Sequence, residues 1–332
     1  MQTIETTDQA LWSQLVDELR AHPQQSWEWG ALKEKTGPWE AHRIVFKEGD
    51  ETVGAAQVLL RSMPFPFRQI AYAPRGPIAR DQARLPEIAD AAAAWAKEHT
   101  KSVSLKIDPA VTELALSADW KPSERVLVSK TAVIDLTPSE DDLMKGIPNR
   151  KARQYIRKAG RDGVVIRPGT KDDLPQILAM YKATAEADGF AIHEDHFYYE
   201  ALETLGDVSQ LFVAERDETL HAFLWNATTS GTAFELWGAV SDEGKRSRAN
   251  YLLKWVAICA AKERGAQLYD LNGLLNDGIS DFKLLFVREP TIWVGSFDRP
   301  LSPLFGAMNA SLEMRRKLQS RHSTQQDTSE SR

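Results

Sequence analysis

Lys283 stands between an aromatic residue and an apolar run, in Phe282-Lys283-Leu284-Leu285-Phe286, directly after a turn-rich loop carrying Asn272, Gly273, Asn276, Asp277 and Gly278. Leu268, Tyr269 and Leu271 ahead of that loop read as a short strand, so the lysine belongs to a new element that follows a strand and a loop. An ammonium held against apolar surface is weakly screened, and such a charge can stabilise negative charge that develops during a reaction. The plain alternative is a lysine that snorkels from the start of an amphipathic helix. Two carboxylates, Asp108 before Pro109 and Asp270 after Tyr269, end strand patterns. Either can hold an ammonium, and either can simply cap a turn.

A second charged feature lies mid-chain. Between Lys145 and Arg167 there are eight basic residues and one acid, so this segment carries +7 while the remainder of a chain of net charge −6 carries −13. Arg150, Arg153, Arg157 and Arg161 are spaced 3, 4 and 4 apart and would form one cationic stripe on a helix, with Ala152, Tyr155, Ile156 and Ala159 turned inward. The stripe is either a solvated helix face or a site for a polyanion. No acid stands at i+4 from these arginines to relieve their mutual repulsion, which favours the polyanion, and Lys145 and Lys151 would join it.

The elements that must position these groups follow from periodicity. A helix is expected from Asp8 to Arg20 with Leu11, Leu15, Val16 and Leu19 on one face, and Trp27, Trp29 and Leu32 continue at helical spacing. Strands are expected at 41–46, 52–60, 68–72, 103–107 and 126–134, a helix at 85–98, and a helix start with Pro138 in its first position after Thr137. The order then repeats. Glu51 corresponds to Glu218 and Ala96 to Ala261, offsets of 167 and 165, and two copies of one α+β unit explain this better than chance. Each copy has the strand–helix–strand order of GNAT-type acyltransferases. We expect a first unit over 1–147 joined by 298–320, a second over 148–297, and a disordered tail over 321–332.

Composition narrows the classes. With 42% hydrophobic and 27% charged residues the chain is an ordinary globular one. No apolar run approaches the roughly 20 residues of a membrane helix, and the opening residues lack the pattern of a signal peptide. The single cysteine, Cys259, sits among Val256, Ala257, Ile258 and Ala260 and reads as a small buried hydrophobe. A cytoplasmic chain without disulfides is expected. His193-Glu-Asp-His196 is a weak metal signal and no metal is expected; no P-loop or nucleophile elbow is present.

A set of stretches, in order, resembles the Fem-type (FemABX) aminoacyltransferases of bacterial cell-wall synthesis: 25–33 (QSWEWGALK), Tyr72-Ala-Pro-Arg-Gly-Pro77, Leu105-Lys-Ile-Asp-Pro109, the basic helix after Asp135-Leu136, Ala187-Asp-Gly-Phe190, Trp237-Gly-Ala, Tyr269-Asp-Leu-Asn-Gly273 and Phe282-Lys283. The resemblance implies two tandem GNAT-like (acyl-CoA N-acyltransferase-like) domains. They would move Ala, Ser or Gly from aminoacyl-tRNA to the side-chain amine of a peptidoglycan-precursor stem peptide, either UDP-linked muropeptide or lipid II. No heptad run of arm length is present, so the chain looks like the compact, armless FemX-like branch. No cofactor is implied. A monomer with peripheral membrane contact is expected.

By the same resemblance Phe282 and Lys283 match the transfer site, and Lys33 the lysine that grips the precursor diphosphate. His193 stands where the family has an arginine, and a largely neutral imidazole cannot make the two-pronged phosphate contact. Val103, Phe197 and Trp237 stand where the compact branch has tyrosines. Tyr72, Arg75, Asp108, Trp237 and Asp270 are expected to line the acceptor cleft, and no base is required if the tRNA ribose hydroxyl shuttles the proton. Two other classes compete. An acetyl-CoA N-acetyltransferase would need a glycine-bearing pyrophosphate turn, and the corresponding place reads Lys245-Arg-Ser-Arg-Ala-Asn250. A noncatalytic module that binds tRNA or wall precursor would be favoured were Lys283 dispensable.

Overall fold

The computed structural model describes residues 1–275, 277–312 and 314, so the tail expected over 321–332 lies outside the described residues, as does Asn276. The chain opens with β1 (Gln2–Glu5), α1 (Gln9–Glu18) and α2 (Trp27–Thr36), then β2 (Trp39–Glu48), β3 (Glu51–Ser62), β4 (Gln69–Ala73), β5 (Ile78–Ala79), α3 (Leu85–His99), β6 (Ser102–Ile107) and β7 (Lys121–Ser123). It continues through β8 (Lys130–Thr131), β9 (Val133–Asp135), α4 (Glu140–Gly146), α5 (Arg150–Arg161), β10 (Val165–Pro168), α6 (Leu174–Asp188), α7 (Asp195–Leu205), β11 (Ser209–Arg216), β12 (Thr219–Thr228) and β13 (Thr232–Val240). The remaining elements are α8 (Asp242–Ser247), α9 (Ala249–Glu263), β14 (Leu268–Asp270), α10 (Gly278–Leu284), β15 (Thr291–Ile292) and β16 (Ser296–Pro300).

Two sheets result. The first runs β1-β2-β3-β4-β6-β16-β7, and the second β10-β11-β12-β13-β14-β9. In each, an antiparallel meander is followed by a helical crossover to a parallel neighbour: β4 to β6 through α3, and β13 to β14 through α9. This is the physical form of the internal repeat, and the fold is α+β with two tandem GNAT-like units. No coiled-coil arm occurs among the described residues. Beyond the parallel strand each sheet is completed from elsewhere in the chain. β16 pairs with β6 in the first, and β9 pairs with β14 in the second.

The cores follow side-chain type. α3 lays Ala89, Ala92, Ala93 and Ala96 on the first sheet, small residues that let its axis come close, beside Ile88 and Trp95. The second sheet is covered on one face by α5 and α9, and on the other by α6 and α7. Trp29 and Leu32 of α2 join the second of these clusters beside Leu174, Tyr181 and Phe197, so a helix of the amino-terminal half seals the carboxy-terminal sheet. The seam is tight elsewhere too. The Thr229 hydroxyl donates to the Ala21 carbonyl at 2.5 Å, and a Cβ on Gly231 would lie 2.0 Å from the Arg20 carbonyl oxygen.

Two expectations are corrected, and one strand is added. In α1 the buried face is Trp12, Leu15, Val16 and Leu19, whereas Leu11 is 41% exposed, one position off the stripe. The expected strand over 126–134 is two short pieces, β8 and β9, because its hydrogen bonds are divided: β8 pairs with β15 and β9 with β14. The sequence also gave no sign of β1, an edge strand whose residues are all exposed and which therefore carries no burial pattern.

Candidate active site

Lys283 lies on α10, whose start is capped by Asp277: its carboxylate accepts from the Ser280 N–H and hydroxyl, each at 2.7 Å. Just after β14, Asn272 adopts a left-handed conformation at φ 63°, its N–H donating to Asp270 at 2.8 Å and its side-chain amide to the Glu235 carbonyl at 2.9 Å. That reversal turns two carbonyls toward the lysine. The Lys283 ammonium donates to the Gly273 oxygen at 3.0 Å and to that of Asn272 at 3.4 Å. Burial pushes its pKa below the ordinary lysine value, against the pull of the Glu235 carboxylate and with the Lys254 ammonium adding to it. Lys283 is therefore half-buried and anchored, not a freely snorkelling side chain.

Lys283 lines a cavity of about 1260 Å³ together with Phe282, Lys254, Trp237, Phe190 and Met180. Glu235 and Lys254 form an ion pair within it, each side chain only 6% exposed. Sequence reading missed this pair. Its signal was available, since Lys254 interrupts the apolar Tyr251-Leu-Leu-Lys-Trp-Val and Glu235 stands between Phe234 and Leu236. Trp237 packs edge-on to Phe197 at 5.8 Å, and Phe197 stacks on His193 at 3.8 Å. Lys33 holds its ammonium 4.8 Å from the Trp29 ring, and after burial its charge is what lowers the His193 pKa. Lys33 and His193 thus form a second locus, its charge carried by Lys33, joined to the cavity wall through the rings of Phe197 and Trp237. Val103 is buried in β6.

Tyr72, Arg75, Asp108 and Asp270 form a third group. Asp108 accepts from the Tyr72 hydroxyl and from the Arg75 N–H, both at 2.7 Å, and burial raises its pKa to about 6. Asp270 accepts from the Thr131 hydroxyl and the Asn272 N–H, and its pKa is also raised by burial. Asp270 thus braces the turn that follows it, whereas Asp108 braces a different loop. The buried Arg75 guanidinium acts on both carboxylates, and its Nε has no hydrogen-bond partner among the described residues.

Of the basic stripe, Arg150, Lys151, Arg157 and Arg161 are exposed on α5. Arg153 departs from it, turning back to donate to the Ile147 carbonyl, and Lys145 pairs with Asp142 at 3.4 Å. Ala152, Ile156 and Ala159 are buried as the spacing implies. The half-buried Tyr155 meets Tyr251 at 5.1 Å, which in turn meets Phe282 at 5.0 Å. The cationic helix and the Lys283 helix are therefore coupled through three edge-on rings. A polyanion on α5 would have an end close to the cavity.

A family model described as the FemAB family matches residues 7–131 and 123–222. The lipid II:glycine glycyltransferase of Staphylococcus saprophyticus is 28% identical over 223 residues, 59% of this chain and 52% of that protein. That of Staphylococcus aureus is 26% identical over 225 residues, 60% of this chain and 52% of that protein. The matched region thus spans about half the length of these curated relatives. Among solved structures, FemX superposes with a TM-score of 0.78 at 18% identity, covering 92% of this chain and 99% of its own. A conserved protein of unknown function from Bacteroides thetaiotaomicron superposes with a TM-score of 0.58 at 12% identity, covering 89% and 97%. At these identities the likeness speaks for the fold.

Proposed function

The chain belongs to the FemAB family, and from that premise we propose that it is an aminoacyltransferase, moving an amino acid from aminoacyl-tRNA to the stem-peptide amine of a peptidoglycan precursor. The observation that carries the reading is the anchored Lys283 ammonium at the wall of a large cavity beside a cationic helix. In the reaction the neutral amine attacks the ester carbonyl, a C–N bond forms, the C–O bond to the ribose breaks, and the amine proton passes to the ribose oxygen. Lys283 faces the oxygen on which negative charge grows. Arg150, Lys151, Arg157 and Arg161 would bear the tRNA phosphates. Lys33, with His193 in the place of a second cation, would hold the precursor diphosphate, and Tyr72, Arg75, Asp108, Asp270 and Trp237 would shape the acceptor side.

The curated relatives named above are glycyltransferases acting on lipid II, which supports this acceptor class without fixing the amino acid. The chain would act as a cytoplasmic monomer. Its two units would divide near residue 148, with β9 from before that point lent to the second sheet and the segment from 298 returning to the first. The test supplies alanyl-, seryl- and glycyl-tRNA with UDP-linked pentapeptide or lipid II and reads the mass of the acceptor. An increment of one aminoacyl residue is expected. No increment with any pair, or an acetyl increment from acetyl-CoA instead, would overturn the reading.

A further inference from the structure

The hairpin that joins β3 to β4 ends in Met63-Pro-Phe-Pro-Phe-Arg68, and Phe65 at its tip is 92% exposed, far more than any other large apolar side chain among the described residues. The tip is not loose. The Met63 N–H donates to the Arg68 carbonyl at 2.7 Å, the Phe67 N–H donates to the Pro64 carbonyl at 3.0 Å, and two prolines bracket Phe65. A built turn that holds a phenylalanine out in water contributes nothing to its own fold, so the ring is displayed for something else. Cations stand along the same hairpin. Arg61 and Arg68 flank the tip, exposed and without an ion pair among the described residues, and Lys101 follows the same pattern beside Gln69, whose amide oxygen accepts from the Lys101 N–H at 3.3 Å. Arg61 lies 5.7 Å over the ring of Trp39, its partner in the β2–β3 register.

An aromatic wedge with arginines on its stems and a lysine at its base suits one surface best, the boundary between acyl chains and anionic headgroups: rings enter, guanidinium groups stay with phosphate. We propose that this hairpin tip docks the protein on an anionic phospholipid bilayer. Its position gives the docking a use. Trp39 also rests against Gly37, the residue that ends α2, and α2 carries Lys33. The wedge and the carboxy-terminal turn of α2 thus lie at the same end of the β2–β3 pair, so a docked protein would meet a lipid-linked diphosphate with that end. Docking stands independently of the transfer reading; the inference that the acceptor is lipid-linked rests on it.

The test is co-sedimentation of the full chain with vesicles of phosphatidylcholine, with or without about one-third phosphatidylglycerol. Wild type should bind the anionic vesicles and lose that binding as salt is raised. Phe65→Ser should weaken it about tenfold, and the Arg61→Ser/Arg68→Ser pair by about tenfold or more. Lys171→Ser, an exposed cation of the other unit, should leave it unchanged. Wild type that stays in the supernatant, or Phe65→Ser that sediments like wild type, overturns the proposal; in the first case the tip is left to a protein partner. Transfer separates the two readings. Phe65→Ser should keep its rate with UDP-linked acceptor and lose it with vesicle-embedded lipid II. Equal rates on both overturn the lipid-linked acceptor, and Phe65-dependent binding without any transfer upholds docking while the transfer reading falls.

Discussion

Replacing Lys283 by Met removes the ammonium while keeping an unbranched side chain of similar length beside Phe282. The size of the effect can be worked from the donors. An ammonium has three N–H bonds, and two of them serve the Asn272 and Gly273 carbonyls. One remains for the substrate. Loss of a single donor aimed at a developing oxyanion slows the chemical step by about 10² to 10³, or roughly 3–4 kcal/mol. Stability should change little, since the variant gives up two charge-assisted bonds but also the desolvation that already lowers the lysine pKa. The assay is single-turnover transfer from saturating aminoacyl-tRNA, with thermal unfolding as the control for folding. A pH profile adds a sign: the protonated amine is the active form, so the wild-type rate falls as pH rises through a pKa below the ordinary lysine value, a limb the Met variant must lack. A Lys283→Met chain that unfolds like wild type and transfers at the wild-type rate would refute the assigned role.

Asp108, 2% exposed with a pKa raised to about 6, is destabilising when charged. Its contribution is most favourable below the unfolded value near 3.8 and is lost as pH climbs through 6, so Asp108→Asn should gain on wild type by about 3 kcal/mol between pH 4 and 7, read from denaturant midpoints. Glu235→Leu or Lys254→Met alone leaves one buried charge unpaired and should lower stability by about 3–5 kcal/mol, while the double variant should lose far less. Gly231→Ala drives a methyl into the Arg20 carbonyl and should cost at least about 2 kcal/mol in chemical denaturation. Changing Arg150, Arg157 and Arg161 together to Ser should reduce the salt slope of tRNA binding by about 2 to 3, measured by filter binding over a salt series.

The tandem architecture was legible because the repeat is written in local patterns: a strand, an alanine-rich helix and a strand that stops just before Asp108 reappear, with small shifts, in a strand, a helix and a strand ending at Asp270. The surroundings of Lys283 were legible for a similar reason, since Asn272, Gly273, Asp277 and Gly278 announce the turn and the cap that hold it. Contacts between distant segments were not. Arg153 looked equivalent to Arg157 by spacing, yet a reach back to Ile147 decides its direction. The Glu235–Lys254 pair needs β13 and α9 to be packed together before either residue stands out. Residues 126–134 have a single apolar pattern but two different strand partners, and no local signal says where one ends.

Completion of each sheet by a strand from elsewhere constrains how the polypeptide is made. A ribosome releases the amino-terminal half first, yet the place beside β6 stays vacant until residues 296–300 emerge, by which time every strand of the other sheet is already outside the tunnel. The nascent first half must therefore wait with an open edge that invites wrong pairing. A gene cut between the two repeats would yield one fragment lacking β16 and another lacking β9, so the halves are joined by more than a linker and should be inherited, expressed and engineered as one piece.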